Sequence, residues 1–141
     1  MRRNWRSGDI VHLQLPMPVR CVESHPYVEE NGGRVALMRG PLLYCVEQID
    51  NPDTALDDVE LLDEAAFRAD FRPDLLGGVV ALTADARVRP TDDSWSAVLY
   101  RTAEPDVNVV DPERASLTAI PYHAWANREP GPMRVWLRRG S

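Results

Sequence analysis

Hydrophobic and polar positions alternate with a period of two along most of this chain, which is the pattern of β-strands. In residues 10–15 the odd positions are valine or leucine, while two of the even positions are histidine and glutamine. This alternation predicts a half-buried strand that ends at Pro16, because proline cannot donate to a ladder of hydrogen bonds. Further strands are predicted at residues 19–23, 34–39, 42–46, 79–83, 96–102, 117–122 and 133–137.

Residues 59–71 fit two patterns. Leu61 and Ala65 would share one face of a helix, whereas Phe67, Ala69 and Phe71 alternate as in a strand. The strand is the favoured interpretation. Near the end of the chain, residues 127–132 contain Pro-Gly at the centre of a turn, which predicts that the last two strands form a hairpin.

The predicted elements are seven to nine short strands separated by turns rich in glycine, proline and aspartate. The 12 prolines among 141 residues disfavour helices, because proline lacks the amide donor and clashes with the preceding helical turn. Residues 42–46 are apolar on both faces, as in a central strand covered on both sides. The sequence therefore predicts an all-β fold, an antiparallel β-sandwich of the jelly-roll type, with an N-terminal strand arm.

Composition narrows the class of function. Hydrophobic residues make up 44% of the chain, as in a globular domain, and the net charge of −6 argues against a nucleic-acid partner. No stretch reaches the ~20 apolar residues of a membrane helix, so no membrane partner is predicted. The basic start lacks a following apolar region, which predicts no signal peptide and a cytoplasmic location.

The two cysteines, Cys21 and Cys45, both lie in apolar β-like runs. The favoured interpretation is a pair of buried free thiols. A disulfide is the alternative if the two strands lie side by side.

The usual signatures of catalysis are missing from the sequence. His12, His25 and His123 are far apart and no Cys-x-x-Cys occurs, so no metal or cofactor site is predicted. No Gly-x-Ser-x-Gly elbow is present. Adjacent carboxylates such as Asp57-Asp58 are interpreted as residues of solvent-exposed turns. They are not expected to act together in catalysis, because neighbouring side chains on an extended chain point to opposite faces. We therefore predict no catalytic residue.

Aromatic side chains are the best candidates for a binding site, since an exposed ring can stack on the apolar face of a sugar. Trp136, Trp125 and Tyr122 are the candidate carbohydrate-binding residues. Packing in the core or at an interface is the commoner role of such aromatics. Trp136 alternates with Val135 and Leu137, so it lies either on a second buried face or exposed.

Six stretches of the chain carry a specific set of motifs: residues 8–20, 25–26, 28–31, 33–45, 119–128 and 133–137. In their order and content they resemble the C-terminal part of glycoside hydrolase family 127, the β-L-arabinofuranosidase family. One departure is His123, where the family more often has a tyrosine. The resemblance covers nearly the whole chain, although residues 49–115 match loosely.

The resemblance implies an architecture in which a helical (α/α)6 barrel precedes β-sandwich domains. The barrel carries the zinc-bound cysteine nucleophile of such enzymes and is absent from this chain, so no catalytic residue is transferred. Residues 1–24 would be an arm left from a preceding sandwich, and residues 25–141 the sandwich domain itself. The expected role is a non-catalytic accessory domain that braces the barrel, and the chain is not expected to be an enzyme by itself.

The resemblance also predicts partners. Residues 8–24, or an exposed sandwich face, would pack on another copy in a homo-oligomer, and the catalytic barrel of a parent or separate chain would be a second partner. The alternative function is a carbohydrate-binding module that uses exposed Trp or Tyr. An independent enzyme is the third and least favoured class.

Overall fold

A computed structural model describes residues 4–63, 65–89, 97–102 and 112–140. Within these ranges the chain forms strands and short 3-10 turns, so the prediction of an all-β fold is confirmed. The 3-10 turns are Glu29–Asn31, Gln48–Asp50 and Tyr122–Ala124. The strands are β1 (Val19–Val22), β2 (Arg34–Arg39), β3 (Leu42–Glu47), β4 (Val59–Leu61), β5 (Arg68–Arg72), β6 (Val79–Val88), β7 (Glu113–Pro121), β8 (Met133–Arg134) and β9 (Trp136–Arg139).

Six of these strands close into a barrel in the order β2-β9-β4-β6-β7-β3, and β3 pairs back onto β2. Their contacts are antiparallel except between β4 and β9, which run parallel with Glu60 opposite Arg138. The hairpin from β2 to β3 turns at Gly40, which has a φ of +57° and lies directly under the Met17 side chain. Glycine suits both demands, since it tolerates positive φ and has no Cβ to collide with Met17.

The barrel interior explains the alternating sequence pattern. Every second residue of the six strands points inward, and the inward set mixes small alanines with leucine, valine and Tyr44, as expected for a small barrel filled by side chains. The interior residues include Val35, Leu37, Tyr44, Val46, Val59, Leu61, Leu82, Ala84, Ala86, Leu117, Ala119 and Leu137.

The opposite face of β3 is also buried. Cys45 packs there with Val79, Ile120 and Ala124 in a second apolar cluster outside the barrel. The expectation that residues 42–46 form a strand covered on both sides is therefore confirmed.

The strand predicted at residues 10–15 is wrong. Residues 10–18 pair with no strand in the described part of the chain, and the side chains expected to be buried are exposed, Leu13 by 77%. A strand requires a neighbour for its backbone groups, and the pairing of β1 with β2 covers only residues 19–22. The segment returns to the domain at Met17, whose sulfur lies near Arg39.

Two other element predictions need correction. Residues 97–102 form no strand, and Val98, Leu99 and Tyr100 are exposed there; Trp95 and Ser96 lie outside the described residues. The predicted C-terminal hairpin is also wrong, because β7 pairs with β6 and β3 whereas β8 pairs with β3. The ambiguous stretch at 59–71 gives two short strands, β4 and β5, in line with the favoured interpretation.

The cysteines are both free thiols. Cys45 is buried, but Cys21 is exposed, because β1 lies outside the barrel. Among the described residues, no helix is long and apolar enough to cross a membrane.

Candidate functional site

Two of the three candidate aromatic residues come together on the surface. The rings of Tyr122 and Trp125 are nearly parallel, with 5.8 Å between their centroids and 19° between their planes. Each side chain is about two-fifths exposed, at 40% and 41%. The third candidate, Trp136, is half-buried on the outer face of β9, opposite Ala36 of β2, and its ring does not join this stack.

The 3-10 turn after β7 produces the stacked pair. Residues three apart in a 3-10 turn lie above one another, and the Trp125 amide donates to the Tyr122 carbonyl oxygen at 3.1 Å. Ala124 anchors the turn in the apolar cluster around Cys45. Asn127 closes it by donating from Nδ2 to the carbonyl oxygens of Ala124 and Trp125. The rings are therefore presented by a fixed backbone.

A buried ion cluster lies beneath this turn. The Arg128 guanidinium binds both carboxylate oxygens of Asp50, at 2.6 and 2.5 Å, and Oε2 of Glu47 at 2.5 Å. Glu47 is only 6% exposed. The hydrogen bonds to Asp50, with those to Glu47, hold the pKa of Arg128 above its ordinary value, so the cation is permanent. The cluster joins the end of β3 to the loop that carries the rings.

Ala126 adopts an unusual backbone conformation that strengthens the same contact between the end of β3 and the loop that carries the rings. Its φ is +61°, in the left-handed region that residues with a Cβ rarely occupy. This conformation directs its amide toward Glu47, which accepts a hydrogen bond at Oε1 over 3.2 Å. Glu47 thus receives hydrogen bonds from both the loop backbone and Arg128.

Asn51 extends the polar junction to β7. Its Nδ2 donates to the carbonyl oxygens of Glu47 and Thr118, at 2.8 and 3.0 Å, and its Oδ1 accepts from the Thr118 amide at 2.8 Å. Gln48 secures the same loop by donating to the carbonyl oxygens of Asn51 and Thr54. These hydrogen bonds fix the loop after β3 against the rest of the domain.

The Cys45 thiol is close to this cluster but chemically inactive. Burial raises its pKa to about 12, and the carboxylates of Glu47 and Asp50 add to the effect. Since the thiolate is the reactive form, this cysteine stays protonated and unreactive near neutral pH. The arrangement can present a rigid aromatic surface, and it offers no activated nucleophile at this position.

A comparison with protein families decides the identity of the fold. The model for the glycoside hydrolase family 127 C-terminal domain matches residues 19–138. The chain belongs to this family. The resemblance inferred from the sequence motifs is therefore confirmed, and the Tyr122–Trp125 pair lies within the matched region of the family 127 domain.

Known relatives are much longer proteins. A non-reducing end β-L-arabinofuranosidase of Bifidobacterium longum subsp. longum is 43% identical over a match covering 94% of this chain and 20% of that enzyme. A solved family 127 β-L-arabinofuranosidase from Geobacillus stearothermophilus T6 is 42% identical, with a TM-score of 0.73 over 89% of this chain and 19% of the other. Another solved family 127 β-arabinofuranosidase is 35% identical, with a TM-score of 0.71 over 88% of this chain and 17% of that one. The chain spans about a fifth of the length of these relatives.

Sequence reasoning found the aromatic residues but missed their support. Arg128 is 78 residues from Asp50 and 81 from Glu47, and nothing in the local sequence marks these residues as partners. The signal that could have been used is the position of Arg128 directly after the Trp-Ala-Asn stretch that carries the family resemblance.

Proposed function

We propose that this domain is a non-catalytic accessory module that packs against the (α/α)6 barrel of a family 127 glycoside hydrolase. The observation that carries the proposal is the apolar surface of residues 10–15, where Ile10, Val11, Leu13 and Leu15 are 59–77% exposed. A folded domain rarely leaves such a run uncovered unless another surface meets it. The match to only a fifth of each longer relative supports the same interpretation.

The half-exposed aromatic pair supports a contact role as well. Aromatic side chains on a rigid backbone lose little conformational entropy on binding and are enriched in the energetic centres of interfaces. Tyr122 and Trp125 have this character, because the Arg128 cluster and Asn127 fix their turn. In this proposal the chain has no chemistry of its own and stabilises the catalytic unit.

The exposed N-terminal segment also supports self-association of the isolated chain. Residues 8–24 include β1, whose edge away from β2 is not paired with any strand of the described residues, and unpaired edges next to apolar side chains recruit other chains. We therefore include a homo-oligomer through residues 8–24 in the proposal.

The substitution Leu13→Asp tests both contacts. In a chimera, the matching fifth of the Bifidobacterium enzyme is replaced by this chain, and release of nitrophenol from an aryl β-L-arabinofuranoside is measured. We expect the chimera to be soluble and active, and Leu13→Asp to lower its soluble yield several-fold. For the isolated chain, light scattering should show association that the same substitution abolishes.

Leu99→Asp is the matched control, because Leu99 is 87% exposed and lies outside the segment. It should leave both readouts unchanged. A chimera no more soluble than the enzyme lacking this region would contradict the accessory role, and a monomeric wild-type chain at high concentration would contradict self-association. Aryl glycoside hydrolysis by the isolated chain would overturn the non-catalytic assignment.

A carbohydrate-binding module is the second candidate, favoured by the near-parallel, half-exposed rings of Tyr122 and Trp125. Two such rings can stack on the apolar faces of a sugar chain. Calorimetric titration with arabinose- and galactose-containing oligosaccharides would then show binding that Trp125→Ala removes. Trp136→Ala is the comparison, since Trp136 is outside the stack. Absence of heat with every oligosaccharide would eliminate this candidate.

A further inference from the structure

A cleft with mixed polar and apolar walls, at one end of β1, β2, β4 and β9, is separate from the aromatic pair. It consists of two adjoining cavities of about 290 and 400 Å³ that share Glu23 and Arg139 in their walls. Together they have the size of a small-molecule site, for which volumes of about 300–1,000 Å³ are usual. We call this region the Arg139 cleft.

Arg139 lines both cavities, and its side chain is paired with two carboxylates. Its Nη1 donates to Oε1 of Glu23 and its Nε donates to Oδ1 of Asp63. Its backbone amide donates to the Gly33 carbonyl oxygen at 2.9 Å, which ties the end of β9 to the start of β2. In the described part of the chain, these bonds use one oxygen of each carboxylate, so Oε2 of Glu23 and Oδ2 of Asp63 retain capacity to accept.

The charge balance of the cleft favours a neutral ligand. The carboxylates of Glu23 and Asp63 are matched by the guanidinium groups of Arg34 and Arg139, two negative and two positive charges. An anion would be repelled by the carboxylates that lie beside Arg139, and a cation would be repelled by the two guanidinium groups. A ligand with several hydroxyl groups could instead donate to the free carboxylate oxygens and accept from Arg34 and Asn31.

Apolar side chains complete the walls. Leu61 and Leu62 line the smaller cavity, and Pro26 and Val28 line the larger one. Planar polar groups beside short apolar surfaces suit a sugar ring, which has hydroxyl groups at its edge and C–H groups on its faces. We propose that the Arg139 cleft binds one or two neutral saccharide units, independently of any contact with a catalytic barrel.

Cys21 provides a direct probe of occupancy. It lines the smaller cavity and is exposed, whereas Cys45 is buried and unreactive, so a thiol reagent should modify Cys21 in the folded chain. Burial raises the pKa of the Cys21 thiol, opposed by Arg139 and reinforced by Asp63, so the rate is measured at a fixed, mildly alkaline pH. L-Arabinose, D-galactose and their β-linked oligosaccharides serve as neutral probes, and galacturonic acid as the anionic one.

The neutral sugars are expected to slow Cys21 modification with a Kd on the order of 1 mM, and galacturonic acid is expected to have little effect. Asp63→Asn and Glu23→Gln should each weaken this protection about tenfold, because each removes a charge-assisted hydrogen bond. Asp53→Asn, an exposed carboxylate outside the cleft, is the matched control. Circular dichroism confirms that each variant is folded.

The alternatives give different results. Protection that both Asp63→Asn and Glu23→Gln leave unchanged would overturn the cleft proposal, whereas Trp125→Ala, which is outside the cleft, should leave the protection intact. Protection by galacturonic acid alone would overturn the choice of a neutral ligand, and protection by none of the sugars would overturn the site. None of these outcomes depends on the chimera, so failure of the accessory role remains distinguishable.

Discussion

Replacing Arg128 by alanine is expected to lower the free energy of unfolding by about 3–5 kcal/mol, because it leaves buried carboxylates without their cation. Glu47 is the most affected, since it is 6% exposed and its Oε2 binds Arg128 at 2.5 Å. Small domains are stable by only about 5–15 kcal/mol, so the variant would be near its unfolding threshold. Denaturant titration at neutral pH, followed by far-ultraviolet circular dichroism, measures the change.

Arg134→Ala is the matched control for this prediction. Arg134 pairs with Asp57 at 2.5 Å, but the Asp57 side chain is mostly exposed, and such surface pairs are worth about 0–1 kcal/mol. The loss of unfolding free energy in Arg128→Lys should fall between the losses in Arg128→Ala and Arg134→Ala, since lysine keeps the charge but cannot bind both oxygens of Asp50 in parallel. Equal destabilisation by Arg128→Ala and Arg134→Ala would show that the buried cluster contributes no more than a surface pair.

Asn51→Asp is expected to destabilise the domain by about 3 kcal/mol or more, although the side chain keeps its shape. The change replaces the Nδ2 donor with a carboxylate oxygen facing the carbonyl oxygens of Glu47 and Thr118. It also adds a buried negative charge near Glu47 and Asp50. Thermal and denaturant unfolding of the variant, compared with the wild type, give the size of the loss.

The pH dependence of this deficit has a definite sign. Desolvation and the facing carbonyl oxygens favour the protonated form of the introduced carboxyl group, which can donate one hydrogen bond. Its pKa in the folded state would therefore exceed the unfolded value of ~3.9, so the deficit shrinks as pH falls below the folded-state pKa. Asn51→Ala removes the donor without adding a charge and should lack this component. A deficit independent of pH would contradict the buried-charge explanation.

Local alternation explains which parts of the fold were predictable. Strands β2 and β3 follow from side chains that alternate within a few residues of each other. Closure of the barrel could not be predicted in this way. It depends on the parallel pairing of β4 with β9, where Glu60 lies opposite Arg138, and no local pattern specifies that pairing. Residues 10–15 have a strand pattern, but among the described residues no strand lies beside them, so the pattern alone was insufficient.

The candidate site was predictable to a similar extent. Residue type alone made Tyr122 and Trp125 candidates for sugar binding, with core packing as the commoner role, and residues 117–122 were expected to form a strand. In the structure the strand ends at Pro121 and a 3-10 turn begins at Tyr122. The turn stacks the rings, and it depends on Ala124 packing beside Cys45, far away in sequence. The sequence left two positions open for Trp136, a second buried face or an exposed one, because it alternates with Val135 and Leu137. In the structure Leu137 points into the barrel interior, so Trp136 lies on the outer face.

The position of β9 in the barrel has a consequence for biosynthesis. This strand lies between β2 and β4, yet it is made after every other strand in the described part of the chain. While the ribosome is still extending residues 112–135, β2 and β4 have unpaired edges and the interior leucines and valines face water. The barrel can therefore close only after this strand has been made, through a long-range contact that forms late in folding.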